Sequence, residues 1–208
     1  RLCGLMYLNP RMSRWQYQEF YNSTYRKWFC NKDDTSAIFQ KEMQDGAQLW
    51  TFCQPFFKAG QSTLEIGCGP GGILAQLQSL GVTVYGVEPS LEESQFARSR
   101  GIQVQNAMLE DLTPRQDMGY DAVILSRSLN HFADPKSALI KIYSLLNSSG
   151  LIFLKLLDYP AQCRFGPFRE CSQADHLYMF SAETIQAMLH QTGFRIVKIE
   201  TDESKLRG

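Results

Sequence analysis

Two groups of residues in this chain of 208 residues have the types and the spacing of a site for a nucleoside-like ligand. The first group is a glycine-rich turn, where residues 65–71 read Glu-Ile-Gly-Cys-Gly-Pro-Gly. Gly67, Gly69 and Gly71 allow a tight bend and let the backbone come close to a ligand. A helix that begins there directs free N–H groups at that ligand. Glu65 suits a cationic group and would repel a diphosphate, so we expect the ligand to carry a positive charge.

The second group ends the next predicted strand, where Glu88 and Pro89 follow an apolar run. A carboxylate in this place can accept hydrogen bonds from both hydroxyls of a ribose. The same feature occurs in proteins that bind nicotinamide dinucleotides, and residues 67–72 also fit the dinucleotide fingerprint G-x-G-x-x-G. The glycines and Glu88 therefore indicate a nucleoside without choosing between these ligand classes.

These residues must be positioned by the alternating strands and helices that the sequence predicts between residues 62 and 158. Short apolar runs bounded by turns predict strands, and longer amphipathic segments predict helices. Strands separated by helices indicate βαβ units and a parallel sheet. The predicted strands are residues 62–66, 82–87, 102–105, 121–126, 151–157 and 194–200. The predicted helices are residues 71–80, 91–100, 135–146 and 181–192, with a turn at residues 147–150.

Aromatic residues concentrate in two segments outside these units. The row at residues 15–29 recurs at helical intervals, a second helix is predicted at residues 36–57, and residues 1–60 carry no strand signal. The row could form a lid over a ligand, with Tyr25 as the first candidate for a contact, or it could pack against the sheet. The second segment is a long loop at residues 159–180, which we expect to border the binding pocket.

The composition excludes several classes of protein. With 21 basic and 21 acidic residues, the chain has no net charge, which argues against binding to nucleic acid through phosphates. No apolar run approaches the roughly 20 residues needed to span a bilayer, and the opening residues are too short for a signal peptide. The six cysteines form no CxxC pair, so we expect no metal site and reduced thiols in a cytoplasmic protein.

Taken together, the two ligand motifs resemble those of the class I S-adenosylmethionine-dependent methyltransferases. The resemblance is strongest to the small-molecule group, which includes enzymes of ubiquinone biosynthesis and sugar modification. Residues 65–71 match the acid-and-glycine signature, and Glu88 matches the ribose acid. Residues 107–112 are similar to the adenine segment of the family, and residues 120–126, followed by residues 130–135, resemble its fourth-strand signature.

This resemblance implies the fold and the division of the chain. We expect an α/β protein with a Rossmann-like three-layer sandwich, a mostly parallel sheet of order 3-2-1-4-5-(7)-6 and an N-terminal helical extension. Residues 1–60 would form a helical cap or lid, and residues 61–208 the methyltransferase domain. Residues 203–208 are too short and polar for the last antiparallel strand of the family, so the sheet could lack that strand.

The resemblance also implies roles for single residues. Glu65 would hold the amino group of the methionine part, and Glu88, next to Pro89, would bind the ribose. Met108 and Leu109 would flank the adenine, although an aspartate is common in the place of Met108. The residues expected to line the methionine part are Gly67, Cys68, Gly69, Gly71 and Ser126.

The implied activity is methyl transfer from S-adenosylmethionine to a small-molecule acceptor, with oxygen, nitrogen and carbon acceptors all open. His131 could act as a general base for a hydroxyl acceptor, or it could be a structural residue in the loop after the fourth strand. Two alternatives remain open at this point. One is a nicotinamide-dependent oxidoreductase on the same fold, and the other is a non-catalytic module that binds nucleosides.

Overall fold

The computed structural model describes residues 3–24, 34–58, 60–112, 119–164 and 176–201. The chain divides into two compact units. The larger unit contains Met12–Ser126 and Ser144–Leu154, and the smaller unit contains Arg1–Arg11, Arg127–Tyr143 and Lys155–Gly208. These limits do not coincide with the boundary expected at residue 60, so the helical cap and the methyltransferase domain stay a prediction.

The elements that the sequence predicts between residues 36 and 192 occur in the expected order, with most ends moved by a few residues. The strands are β1 (Met6–Tyr7), β2 (Ser62–Ile66), β3 (Thr83–Val87), β4 (Val104–Gln105), β5 (Tyr120–Ser126), β6 (Leu146–Lys155) and β7 (Tyr178–Met179). The helices are α1 (Arg14–Ser23), α2 (Thr35–Cys53), α3 (Gly72–Ser79), α4 (Leu91–Ser99), α5 (Pro135–Leu145), α6 (Tyr159–Gln162) and α7 (Ala182–Gln191). Short 3₁₀ turns lie at Gln54–Phe56, Leu109–Asp111 and Leu129–His131.

A five-stranded sheet with the order β4-β3-β2-β5-β6 is the centre of the fold. The pairs β2–β3, β3–β4 and β2–β5 are parallel, and Leu64 in β2 lies opposite Tyr85 on one side and Val123 on the other. Both Leu64 and Val123 are buried, as expected for a strand covered on both faces. The order confirms the predicted Rossmann-like arrangement 3-2-1-4-5.

Helices α2 and α3 pack against each other at glycine positions. A Cβ atom on Gly46 of α2 would lie 3.0 Å from Gln76 Cβ and 3.1 Å from Ile73 Cα. A Cβ atom on Gly72, the first residue of α3, would lie 2.3 Å from the carbonyl oxygen of Phe39. A real Cβ atom essentially never shows a contact as short as that at Gly72, and the contacts at Gly46 would be unusually tight, so both glycines permit the close approach of the helices. This packing holds α2 against the end of the glycine-rich turn.

The smaller unit contains a strand pair that the sequence did not predict. Strand β1 pairs antiparallel with β7, with Met6 opposite Met179 and Tyr7 opposite Tyr178. The Arg11 guanidinium lies 5.7 Å from the centre of the Tyr178 ring and donates a hydrogen bond to the carbonyl of Ala133 at 3.0 Å. A strand of two residues is too short for an alternating pattern to reveal, which is why residues 1–60 carry no strand signal.

Several details of the predicted secondary structure are wrong. The segment expected to be a loop at residues 159–180 contains α6 and β7. Residues 194–200 form no strand, and the side chains of Val197 and Ile199 are 58% and 53% exposed. A strand needs a neighbour for its backbone hydrogen bonds, and no segment in the described parts of the chain pairs with these residues. The turn expected at residues 147–150 lies within β6 instead, where Asn147 donates to Asp121 of β5 at 2.8 Å.

Candidate functional site

The glycine-rich turn connects β2 to α3 in a backbone conformation that suits only glycine. Gly67, Gly69 and Gly71 have φ angles of 71°, 53° and 86°, in the left-handed region that side chains disfavour. The N–H groups of Gly67 and Cys68 donate to the carbonyl of Val87 at 2.8 and 3.1 Å. The turn is therefore held against the end of the neighbouring strand β3.

Glu88, directly after β3, is bonded to this turn by its side chain. Its Oε2 accepts the N–H of Gly69 at 2.9 Å, and its Oε1 accepts the N–H of Ser90 at 2.8 Å. The residue is buried, with 5% of its surface exposed. Because each carboxylate oxygen can accept more than one hydrogen bond, Glu88 keeps acceptor capacity for hydroxyl groups of a ligand. The structure thus brings together the two motifs that the sequence singled out.

The segment expected at the adenine is anchored to the same place. The side-chain amide of Asn106 donates to the carbonyls of Glu88 and Pro89, each at 2.9 Å. Met108 precedes the 3₁₀ turn, and Leu109 within that turn is buried. Asn106 was not among the predicted site residues, although its amide fixes the position of the segment that contains them.

Carboxylates converge on Cys68 in the turn. Glu65 is buried in β2, between Gly86 of β3 and Ile124 of β5. Burial raises the pKa of the Cys68 thiol well above its usual range, and the negative charges of Glu88, Glu65 and Glu42 raise the pKa further. Cys68 is therefore an uncharged thiol that lines the turn, and it is unsuited to act as a nucleophile.

Glu42 is a site residue that the sequence did not reveal. It lies on α2, and its Oε2 accepts the N–H of Gly72 at 3.1 Å. Its Oε1 lies 3.0 Å from the position that a Cβ atom of Gly69 would take, so the carboxylate lies beside this glycine as well. In the sequence Glu42 is one of two acids on a predicted helix, and no spacing rule connects it to the glycines.

Ser126, at the carboxyl end of β5, has the polarity expected for a ligand contact. Its hydroxyl oxygen is buried and has no hydrogen-bond partner within the described residues. A buried hydroxyl of this kind costs free energy unless it is bonded, so an external partner would stabilise it. This observation agrees with the predicted role of Ser126 and does not test it.

His131 is half-buried and belongs to a polar cluster in the smaller unit, in which Asn130, Tyr159 and His176 are buried. Its ring meets that of His176 edge-to-face, with 4.9 Å between centroids, and the Tyr159 hydroxyl is hydrogen-bonded to Nδ1 of His176. Burial first, and then the positive charge that His131 carries when it is protonated, lower the pKa of His176 to about 3. Asn130 joins the cluster by accepting the N–H of Leu177 at 2.9 Å on its carbonyl. His176 is thus a neutral neighbour of His131.

Tyr25, the remaining predicted contact, lies outside the described residues. Among the residues that are described, no group of three or more His, Cys, Asp or Glu side chains could hold a metal ion. None of the described helices is both long and apolar enough to cross a bilayer.

Known methyltransferases are similar in sequence to parts of this chain. The O-methyltransferase resE of Aspergillus sclerotiorum is 30% identical over 162 residues, which cover 72% of this chain and 60% of that protein. A ubiquinone biosynthesis O-methyltransferase of Xanthomonas axonopodis pv. citri is 32% identical over 106 residues, or 48% of this chain and 44% of that protein. This chain therefore spans less than two thirds of the length of either relative.

Solved structures share the fold. The magnesium protoporphyrin IX methyltransferase of Synechocystis with bound SAH matches with a TM-score of 0.66 and 17% identity, over 89% of this chain and 91% of that one. At this identity the likeness concerns the fold. A family model described as a methyltransferase domain matches residues 37–199. Since this match spans well over half of the sequence, the chain belongs to the methyltransferase domain family.

Proposed function

We propose that the chain transfers a methyl group from S-adenosylmethionine to a small molecule. The observation that carries the proposal is the bond between Glu88 Oε2 and the Gly69 N–H, at 2.9 Å, which joins the expected ribose acid to the expected methionine turn. S-adenosylmethionine carries a net positive charge at neutral pH. The carboxylates around Cys68 create a negative field that favours such a ligand and disfavours a dinucleotide diphosphate.

The residues at the turn fit the parts of this cofactor. Glu65 would hold the amino group, Glu88 would accept the ribose hydroxyls, and Ser126 would contact the methionine end. Adenine would lie beside Pro89, Met108 and Leu109. We assign the backbone of the turn to the methionine part, through the residues Gly67, Cys68, Gly69 and Gly71, and we assign a contact to Tyr25.

For the acceptor we propose a hydroxyl oxygen of a small molecule. The relatives with the matching sequences are named O-methyltransferases, which supports oxygen. When bound, S-adenosylmethionine supplies an electrophilic methyl group: the carbon–sulfur bond breaks, its electron pair stays on sulfur, and an oxygen lone pair forms the new carbon–oxygen bond. The chain's own contribution is to hold the acceptor in line and to accept its proton.

His131 is the residue that we propose for the proton. A neutral imidazole can take the proton of the acceptor hydroxyl and pass it on to water. His176 is held neutral by burial, so it places no second positive charge beside His131 when that ring becomes protonated. This surrounding supports His131 as a base more than as a purely structural residue.

The test is calorimetric titration with S-adenosylmethionine, S-adenosylhomocysteine and NAD, followed by a transfer assay with a panel of phenols, sugars and hydroxy acids. We expect both adenosyl compounds to bind, NAD not to bind, and a mass gain of one methylene unit on a hydroxylated acceptor. Tight binding of NAD alone would overturn the proposal in favour of an oxidoreductase. Binding of both adenosyl compounds with no transfer to any acceptor of the panel would favour a non-catalytic module.

A further inference from the structure

Glu42 brings a further carboxylate to the turn from an element outside the two ligand motifs. It belongs to α2 and reaches the turn at two points, the N–H of Gly72 at 3.1 Å and the open side of Gly69. Gly72 packs so closely on α2 that a Cβ atom added to the glycine would lie 2.3 Å from the Phe39 carbonyl oxygen and 2.5 Å from Glu42 Cβ, so the backbone that bears Glu42 lies directly against the start of α3. The position of the Glu42 carboxylate is therefore determined by the fold.

The charge of Glu42 acts inside the turn. Together with Glu88 and Glu65 it raises the pKa of the buried Cys68 thiol. A carboxylate that disfavours a thiolate must equally favour a positive charge placed in the same field. The carboxylate itself lies at the turn, with Oε1 3.0 Å from the position that a Cβ atom of Gly69 would take, so its field also reaches a ligand bound against that glycine.

Methyl transfer changes the charge of the cofactor by one unit. S-adenosylmethionine carries a sulfonium, an ammonium and a carboxylate, whereas the product has a neutral sulfur and no net charge. A negative field at the turn therefore discriminates between the two forms, and this holds although their shapes are nearly the same.

We propose that Glu42 is a specificity residue that shifts the preference of the site from the neutral product toward the sulfonium cofactor. The inference depends on the function proposed above. Glu42 would strengthen binding before the reaction, and it would contribute little to holding the product afterwards. It would thereby assist product release without touching the reacting atoms.

The experiment compares the dissociation constants of S-adenosylmethionine and S-adenosylhomocysteine for the wild type and Glu42→Gln. Glutamine keeps the shape and can still accept the Gly72 N–H, so the turn should remain folded. In Glu42→Gln we expect the dissociation constant of S-adenosylmethionine, divided by that of S-adenosylhomocysteine, to rise by about five- to tenfold. Sinefungin, in which an amine replaces the sulfonium, should lose affinity for Glu42→Gln as S-adenosylmethionine does. Glu42→Asp keeps the charge and should retain most of the preference for S-adenosylmethionine over S-adenosylhomocysteine.

Asp45→Asn is the matched control, because it removes the same charge from α2 at a residue that is not among the three carboxylates that raise the pKa of Cys68. Its ratio should equal that of the wild type. An unchanged ratio in Glu42→Gln overturns the inference, and so does an equal weakening of both ligands, which would place Glu42 at the shared ammonium. If the wild type binds neither adenosyl compound, the proposed function itself fails. If it binds both and the ratio does not move, only the role of Glu42 is lost.

Discussion

The carboxylate of Glu88 accepts the backbone N–H of Gly69 at 2.9 Å, although the two residues are nineteen positions apart. The bond exists because β2 and β3 are parallel neighbours with Ile66 opposite Val87, so that the residues following them meet at one edge of the sheet. A rigid carboxylate at the turn needs little reorganisation when a ligand binds.

Replacing Glu88 by alanine tests this bond and the proposed ribose contact together. We expect the affinity for S-adenosylhomocysteine to fall by about 1–3 kcal/mol, the scale of lost hydrogen bonds to a charged group. Calorimetric titration measures the loss. Glu92→Ala, an exposed acid in the first turn of α4, serves as the control and should leave the affinity unchanged. An unaltered affinity in Glu88→Ala would show that the ribose is held elsewhere.

Gly69→Val should abolish cofactor binding, because the side chain would enter the open side of the turn, toward the carboxylate of Glu42. The positive φ of 53° adds a backbone cost of about 1–2 kcal/mol. Gly101→Val is a matched control: its φ is 82°, and nothing lies within 4 Å of the position that its Cβ atom would take. The control should lose stability and still bind S-adenosylhomocysteine. Equal affinities in the two variants would refute a close approach of the ligand to Gly69.

Gly72→Ala should destabilise the fold more than the site. The added Cβ would lie 2.3 Å from the Phe39 carbonyl and 2.5 Å from Glu42 Cβ, so α2 would have to move. Overpacking of this kind costs about 1–3 kcal/mol of unfolding free energy. Urea denaturation measures the cost, and Gln78→Ala, an exposed change on the same helix, should stay within about 0.5 kcal/mol of the wild type. A wild-type midpoint for Gly72→Ala would contradict the close packing of α2 on α3.

The buried His176 should make stability depend on pH. Its pKa is lowered from 6.5 to about 3 by burial and by the charge of His131, so the unfolded chain binds a proton that the folded protein does not. Stability is then complete above about pH 6.5 and falls as the pH drops toward 3, by about 2 kcal/mol at pH 5. Urea denaturation of the wild type and His176→Gln at several pH values measures this. The unfolding free energy of His176→Gln should lack the decrease between pH 6.5 and pH 3 that the wild type shows. His190→Gln, at an exposed site, should keep this decrease.

His131→Gln tests the proposed base. With a hydroxyl acceptor we expect kcat to fall by about 10²–10⁴-fold, the usual contribution of a general base. The dissociation constant of S-adenosylhomocysteine should not change, because His131 is assigned to the acceptor and not to the cofactor. Comparing kcat with ligand affinity in the same preparation separates the two effects. A fully active variant would leave His131 with a structural role only.

The cofactor motifs could be predicted from the sequence because they are local. The spacing of Gly67, Gly69 and Gly71 encodes a bend through the φ angles that only glycine adopts readily. The alternation of strands and helices predicts the parallel order of the sheet, and that order brings Glu88 to the turn. Gly69 and Glu88, which are joined by a hydrogen bond, can therefore both be identified as site residues from the sequence alone.

Other residues could be assigned to the candidate site only from the tertiary structure. Glu42 lies thirty positions from the Gly72 N–H that it accepts, and only the close contact of α2 and α3 brings the two together. In the same way His176 contacts both His131 and Tyr159, although the sequence pattern does not connect these three residues. Conversely, the apolar alternation at residues 194–200 predicted a strand that the described structure does not form, because alternation encodes a face and not a partner.

The sequence by itself determined the bend, the order of the elements and the acid at the end of β3, since backbone propensities and hydrophobic periodicity are properties of neighbouring residues. Only the tertiary structure decided which charged residues, distant in the sequence, lie close together in the fold. The field around Cys68 depends on distances between Glu42, Glu65 and Glu88, and Coulomb energies follow separation in space and not along the chain.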